Sequence, residues 1–248
     1  MRGEGVVEGL GIPEEALVGK RVPKKLLMER LGQNRRLLEV LEELVWVAAL
    51  KPNTVGVGAY RDGVHEYLEI VVLVAKLKVK SAGKLPELIH RAIPYPVFLI
   101  VESDAAVGIS LAHKRWSEAE HGETVVEGYW EVGLAGGALE EAFVASLAIG
   151  GVGAREMFGL YQGWIDRLNG YRAAGLCGTY TVPVDGEKVH RALERHSQVE
   201  RELAGLRARA RGETQMARRV ELNLMVRKLD LERLSLVAGM DLGKEGRG

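Results

Sequence analysis

The sequence is poor in the residues that make covalent or metal-bound scaffolds. It holds a single cysteine, Cys177, in 248 residues. A disulfide framework and a cysteine-based zinc site are therefore excluded within one chain. Cys177 itself reads as a small, partly buried apolar residue, because a reactive thiol needs an electropositive setting. Aromatic residues are scarce at 6%, with three Phe, so the core must be mainly aliphatic. An excess of one charge is missing too: 34 Lys and Arg balance 34 Asp and Glu. That balance argues against a uniformly basic nucleic-acid binder and against a disordered acidic tail. The longest apolar run, Leu68–Ala75, is broken by Glu69 and falls far short of the roughly 18 residues a membrane span needs. The amino-terminal residues contain no apolar h-region. No membrane contact, no secretory signal and a cytoplasmic location are expected.

The usual catalytic signatures are also absent. Gly150-Gly151-Val152-Gly153 precedes a helix, but neither Lys-Ser/Thr nor the G-x-G-x-x-G spacing follows, so it reads as a helix-breaking turn. The six histidines form no H-x-x-x-H or H-E-x-x-H pair, and neither a metal nor a cofactor is expected. There is no G-x-S-x-G elbow.

What is present is a globular pattern, 47% apolar and 27% charged, enough for one large domain with an appendage. Pro23 starts a helix through Leu31, stopped by Gly32. Leu37, Leu38, Leu41, Leu44, Val45 and Ala48 recur at steps of three and four, which predicts a second helix from Arg35 to Leu50. The period then changes. Thr54–Tyr60 and His65–Lys78 read as strands around an Asp62-Gly63 turn. Gly83–Ala92 reads as a helix, and Pro94 and Pro96 lead into a strand Val97–Glu102. Val107–His113 and Glu123–Val132 are further strands, Leu139–Ile149 and Glu156–Ala174 further helices, and Thr179–Val184 a strand or loop. The expected fold class is α/β, with α+β as the alternative: a mixed sheet with flanking helices over residues 1–184.

The last stretch differs. Asp185 is an N-cap, and the chain is helical from Lys188 to about Arg211. Val199, Leu203 and Leu206, then Val220, Leu224, Leu231 and Leu234, keep one coiled-coil register across Gly212, with Glu213 and Arg227 as polar breaks. The arm, residues 185–238, is either one long kinked helix or a helical hairpin, and the shared register favours the continuous helix. These seven residues are the candidate oligomerisation stripe of a homo-oligomer. Residues 239–248 read as a disordered tail.

Charge is unevenly spread. Residues 20–36 carry Lys20, Arg21, Lys24, Lys25, Arg30, Arg35 and Arg36 against Glu29 alone, while residues 101–141 are strongly acidic. Lys20, Arg21, Lys24, Lys25, Arg35 and Arg36 are candidates for contacting DNA phosphates or a partner's acidic face. The enzymatic alternative is a divalent-metal nuclease using Glu69, Lys76, Glu102 and Asp104, although no D/E-x-K lies in the strands.

Several segments together resemble one family. They are Gly19-Lys20-Arg21-Val22-Pro23-Lys24-Lys25, Ala92-Ile93-Pro94-Tyr95-Pro96-Val97, Ile109-Ser110-Leu111-Ala112-His113-Lys114 and Glu213–Asn223. In this order they resemble the uncharacterised prokaryotic family catalogued as domain of unknown function 4391. Met216 and Ala217 depart from the Phe-Asn expected there. The resemblance implies no established activity. It does imply company: members lie beside DNA methyltransferases and helicases of restriction-like systems, so an accessory role in DNA defence is the expectation, by association alone. A purely structural partner-binding module is the remaining alternative.

Overall fold

The computed structural model describes residues 3–31, 39–118 and 123–240. The chain divides into two compact units, residues 1–168 and 169–248.

The first unit is built on a mixed six-stranded sheet in the order β1-β2-β5-β6-β7-β8. Its strands are β1 (Leu17–Arg21), β2 (Leu41–Leu50), β5 (Ile70–Leu77), β6 (Val97–Glu102), β7 (Val107–Trp116) and β8 (Thr124–Leu134). A small hairpin, β3 (Tyr60–Arg61) with β4 (Glu66–Tyr67), stands apart. β5 and β6 are parallel and the other pairs of the large sheet antiparallel. The parallel pair is joined through helix α4 (Leu85–Ala92), as a parallel connection requires. β5 is apolar on both faces because both faces are covered.

One face of the sheet carries Leu73, Ala75, Leu99 and Val101 against Leu85, Leu88 and Ile89 of α4 and Leu27 of α2 (Lys24–Leu31). On the other face the first half of α7 (Met157–Cys177) sets Trp164 edge-on to Phe98 at 5.1 Å. Tyr161 of α7 is fully buried. Its hydroxyl donates to Val97 O at 2.7 Å and accepts from Ala112 N at 2.9 Å, satisfying both strands where the β6–β7 ladder ends. Short helices α1 (Gly3–Gly9), α3 (Pro52–Val55), α5 (Ala138–Ser146) and α6 (Ile149–Val152) complete this unit.

The expected helix from Arg35 to Leu50 is corrected: its described second half is β2. Two extra residues, Glu42 and Val47, bulge out of the ladder with β5. The first bulge puts Leu41 and Leu44, three residues apart, on the same face, so a strand mimics helical spacing. The expected strand Thr54–Tyr60 is mostly not one either. Lys51 and Thr54 cap the one-turn helix α3, and Gly56 closes it at φ 71°. The long strand expected at His65–Lys78 is interrupted at Leu68 and Glu69, between β4 and β5.

In the second unit, α8 (Gly186–Gly212) and α9 (Met216–Met240) lie against one another as a hairpin. Asp185 accepts from Lys188 N at 2.8 Å, as an N-cap should. The continuous helix favoured by the register is overturned by the chain reversal at residues 213–215. Gly170, in the second half of α7, allows the following chain close. A Cβ there would meet Thr181 O at 2.7 Å and Pro183 Cδ at 2.8 Å.

Candidate functional site

Three of the four candidate nuclease residues share a cavity. Lys76 is the last residue but one of β5, Glu102 ends β6, and Asp104 follows in the next turn; with Glu4, Glu42 and Glu140 they line about 530 Å³. Glu102 Oε1 accepts from Gly3 N at 3.3 Å, and Lys76 lies 3.9 Å from Glu43. Glu69 is not with them. It precedes β5, 3.6 Å from Lys51, and lines a separate cavity of about 310 Å³. It lies seven residue steps before Lys76 along extended chain, roughly 23 Å. Among the described residues no group of three or more His, Cys, Asp and Glu is placed to hold a metal ion. A phosphodiester in the larger cavity would meet several carboxylates and one lysine, which repels it unless cations intervene.

The basic segment is partly engaged with its own chain. Arg21 pairs with Glu43, and the Lys24 ammonium donates to Leu41 O. Lys20 and Lys25 stand exposed on β1 and α2. Arg35 and Arg36 lie outside the described residues.

The stripe residues of the arm fall into two sets. Val199 and Leu203 are buried and Leu206 is half-buried, while Val220, Leu224, Leu231 and Leu234 are 49%, 62%, 63% and 59% exposed. The reason is angular. Facing α8, α9 uses Leu222, Val226, Leu229, Arg233, Leu236 and Met240, an alternation of four and three in which every residue is buried or half-buried. Across this seam Arg195 pairs with Glu232 at 2.7 Å and Arg233 with Glu200 at 3.1 Å. The exposed stripe is offset by two residues, about 160° to 200° around the helix at 100° per residue. α9 is therefore apolar on two opposite sides, and one of them is open.

The histidines, which no sequence motif joined, are gathered by the sheet of the first unit. On β7, Ser110 and Lys114 point to the α4 face, while His113 points to the α7 face. His113 Nδ1 meets the Tyr67 hydroxyl at 2.5 Å and Nε2 meets Gln162 Oε1 at 2.8 Å. Its ring stacks on Phe158 at 5.0 Å and 19°. Burial pulls the His113 pKa down, against the Gln162 hydrogen bond. His65 lies between two carboxylates, Nδ1 3.2 Å from Asp62 and Nε2 2.8 Å from Glu127. Glu127 is the extra residue of a bulge in β8, between the partners of His113 and Lys114. Burial lowers the His65 pKa, but hydrogen bonds and charge from Glu127 and Asp62 outweigh it, so it is raised. On the opposite face, fully buried His90 meets Ser110 Oγ at 2.9 Å. Burial, then the Lys114 charge, pull His90 down to about 3. Lys114 donates to His90 O and Ile93 O at the end of α4. Ser110 is wholly buried, so this Ser–His contact binds the sheet to α4 and offers no nucleophile to a substrate. The alternation along Ser110–Lys114 was the one available sequence signal for these contacts.

A mixed α/β-sheet unit followed by a helical hairpin is the class of protein that these elements define. Within that class, the chain belongs to the family described as Domain of unknown function (DUF4391), whose model matches residues 10–232. It matches no curated protein and no solved structure. No helix among the described residues is long and apolar enough to cross a membrane.

Proposed function

We propose that this chain is a non-enzymatic accessory protein of a restriction- or defence-like DNA system, and that it self-associates through the open side of α9. The carrying observation is the exposed stripe Val220, Leu224, Leu231 and Leu234. A helix that packs by one face normally turns a polar face to water. Here the outer face carries four large apolar residues at coiled-coil spacing, interrupted at Arg227, which suits knobs-into-holes packing against another helix on either side of that arginine.

A second copy is the occupant that the charges favour. An antiparallel pairing that layers Val220 on Leu231 of the other copy sets Glu221 beside Lys228, twice over, by two-fold symmetry. Two helical hairpins joined in this way make a four-helix bundle. Sedimentation velocity on the full chain tests the reading, with a concentration-dependent dimer expected. A monomer throughout would refute self-association. The DNA-system role predicts a stable complex with a DNA methyltransferase or helicase of such a system; independent migration of the purified proteins would remove that part.

A further inference from the structure

We infer that the arginine-rich tip of the α8–α9 hairpin is a binding surface for the phosphate backbone of nucleic acid. Residues 207–219 hold Arg207, Arg209, Arg211, Arg218 and Arg219 against Glu213 alone, a surplus of four positive charges. Three residues join the helices here, so the last turn of one and the first turn of the other bring these side chains to one end of the hairpin.

The tip's own contacts leave most of this charge unspent. Arg207 is bound to Asp230 at 2.8 Å and Arg218 lies 3.6 Å from Glu213. Arg211 Nε donates to Arg207 O at 3.3 Å, and Arg219 meets Met216 Sδ at 3.3 Å. Arg209, Arg211 and Arg219 make no ion pair with the described residues and are exposed.

Helix stability explains only half of the set. Arg209 and Arg211 lie in the last turn of α8, where cations favour the helix dipole. Arg218 and Arg219 lie in the first turn of α9, which has no acidic residue. Cations there face the positive end of the dipole and oppose it. Glu213, whose carboxylate accepts from Gln215 N at 2.9 Å and lies 3.6 Å from Arg218, offsets one of them; Arg219, which makes no ion pair with the described residues, is accounted for by an anion outside the helix. The planar guanidinium, with its fork of donors, matches phosphate oxygens, and no lysine occurs from residue 201 to 219. A nucleic acid is favoured over a lipid surface because the tip has no aromatic residue and only Met216 as a large apolar one, too little to anchor in a bilayer interface.

The surface differs from the Lys20–Arg36 segment, and it deepens the DNA-associated part of the proposed function without requiring self-association. The test is fluorescence anisotropy with the full chain and a labelled 20-base-pair duplex over a salt series. Four phosphate contacts predict an affinity loss of about a hundredfold between 50 and 200 mM salt. The variant Arg209→Ala, Arg211→Ala, Arg218→Ala, Arg219→Ala should lose most of that salt slope and bind at least about tenfold more weakly at 50 mM. These side chains are exposed, and unchanged far-UV dichroism checks that the hairpin persists. A Lys20→Ala, Lys25→Ala variant serves as the paired control and should retain the slope. Wild-type-like binding by the quadruple variant overturns the proposal, as does no duplex binding by the wild type. Binding to phosphatidylserine vesicles without duplex binding overturns it in favour of a membrane. Duplex binding that survives in a Leu224→Glu, Leu231→Glu variant upholds the tip even where sedimentation shows no dimer.

Discussion

Replacing Leu224 and Leu231 together by Glu should separate association from folding. The two side chains are 62% and 63% exposed in the single chain. Fully burying a leucine contributes about 1.5–3 kcal/mol, so covering what remains exposed is worth about 1–2 kcal/mol each. A two-fold interface counts each residue twice. The double variant thus removes about 4–8 kcal/mol of association, a weakening of about 10³- to 10⁶-fold in Kd. Burying the introduced carboxylates adds to that loss. Folding should barely change, since exposed substitutions usually stay within about 0.5 kcal/mol. Sedimentation velocity over a range of about 1–100 µM, beside thermal melts of both proteins, reads the two effects separately. A variant that sediments as the wild type does would refute the reasoning. So would one that loses several kcal/mol of stability as a monomer, because the leucines would then belong to the hairpin itself.

Other perturbations address the first unit. His90 is held neutral with a pKa near 3. A base with a depressed folded pKa adds stability above its unfolded value, near 6.5, and loses it as pH falls towards 3. The loss could reach about 5 kcal/mol. A His90→Gln variant should therefore show a flatter fall in Tm on acidification. His65 acts in the opposite sense: its raised pKa gives stability below pH about 6.5 that is lost as pH rises through the folded value. Glu127→Gln should shrink that alkaline loss, and an unchanged Tm–pH curve would contradict the pairing. Tyr161→Phe leaves Ala112 N and Val97 O without the hydroxyl that serves both; denaturant unfolding should show a loss of about 1–3 kcal/mol.

Where the sequence was legible, local chemistry and tertiary burial agreed. Pro96 before an apolar run marked β6, and Asp185 marked the start of α8. The reading failed where a strand was irregular. In β2 the bulges at Glu42 and Val47 reshape a period of two into steps of three. It failed again where two elements shared a register without sharing a seam. Leu203 and Leu224 keep heptad spacing along the chain, yet the reversal at residues 213–215 leaves one buried and the other open. The candidate cavity was readable only in part. Lys76 and Glu102 are register partners on adjacent parallel strands, which strand pairing brings together. Glu69 precedes the far end of β5, and the length of that strand keeps it from them. The histidine contacts needed β7, β8 and α7 in place before they existed at all.

The two edges of the large sheet bear on how this molecule avoids the wrong contacts. An open edge strand invites a neighbouring molecule to add another strand, and proteins discourage this with short strands, bulges and charges. β1 is five residues long, irregular between Leu17 and Lys20, and ends in Lys20 and Arg21. β8, the other edge, is longer but is broken by the bulge at Glu127. Lys20 and Arg21 thus serve as gatekeepers of an edge, a role that needs no ligand. With both edges guarded, uncontrolled growth of the sheet by strand addition is suppressed.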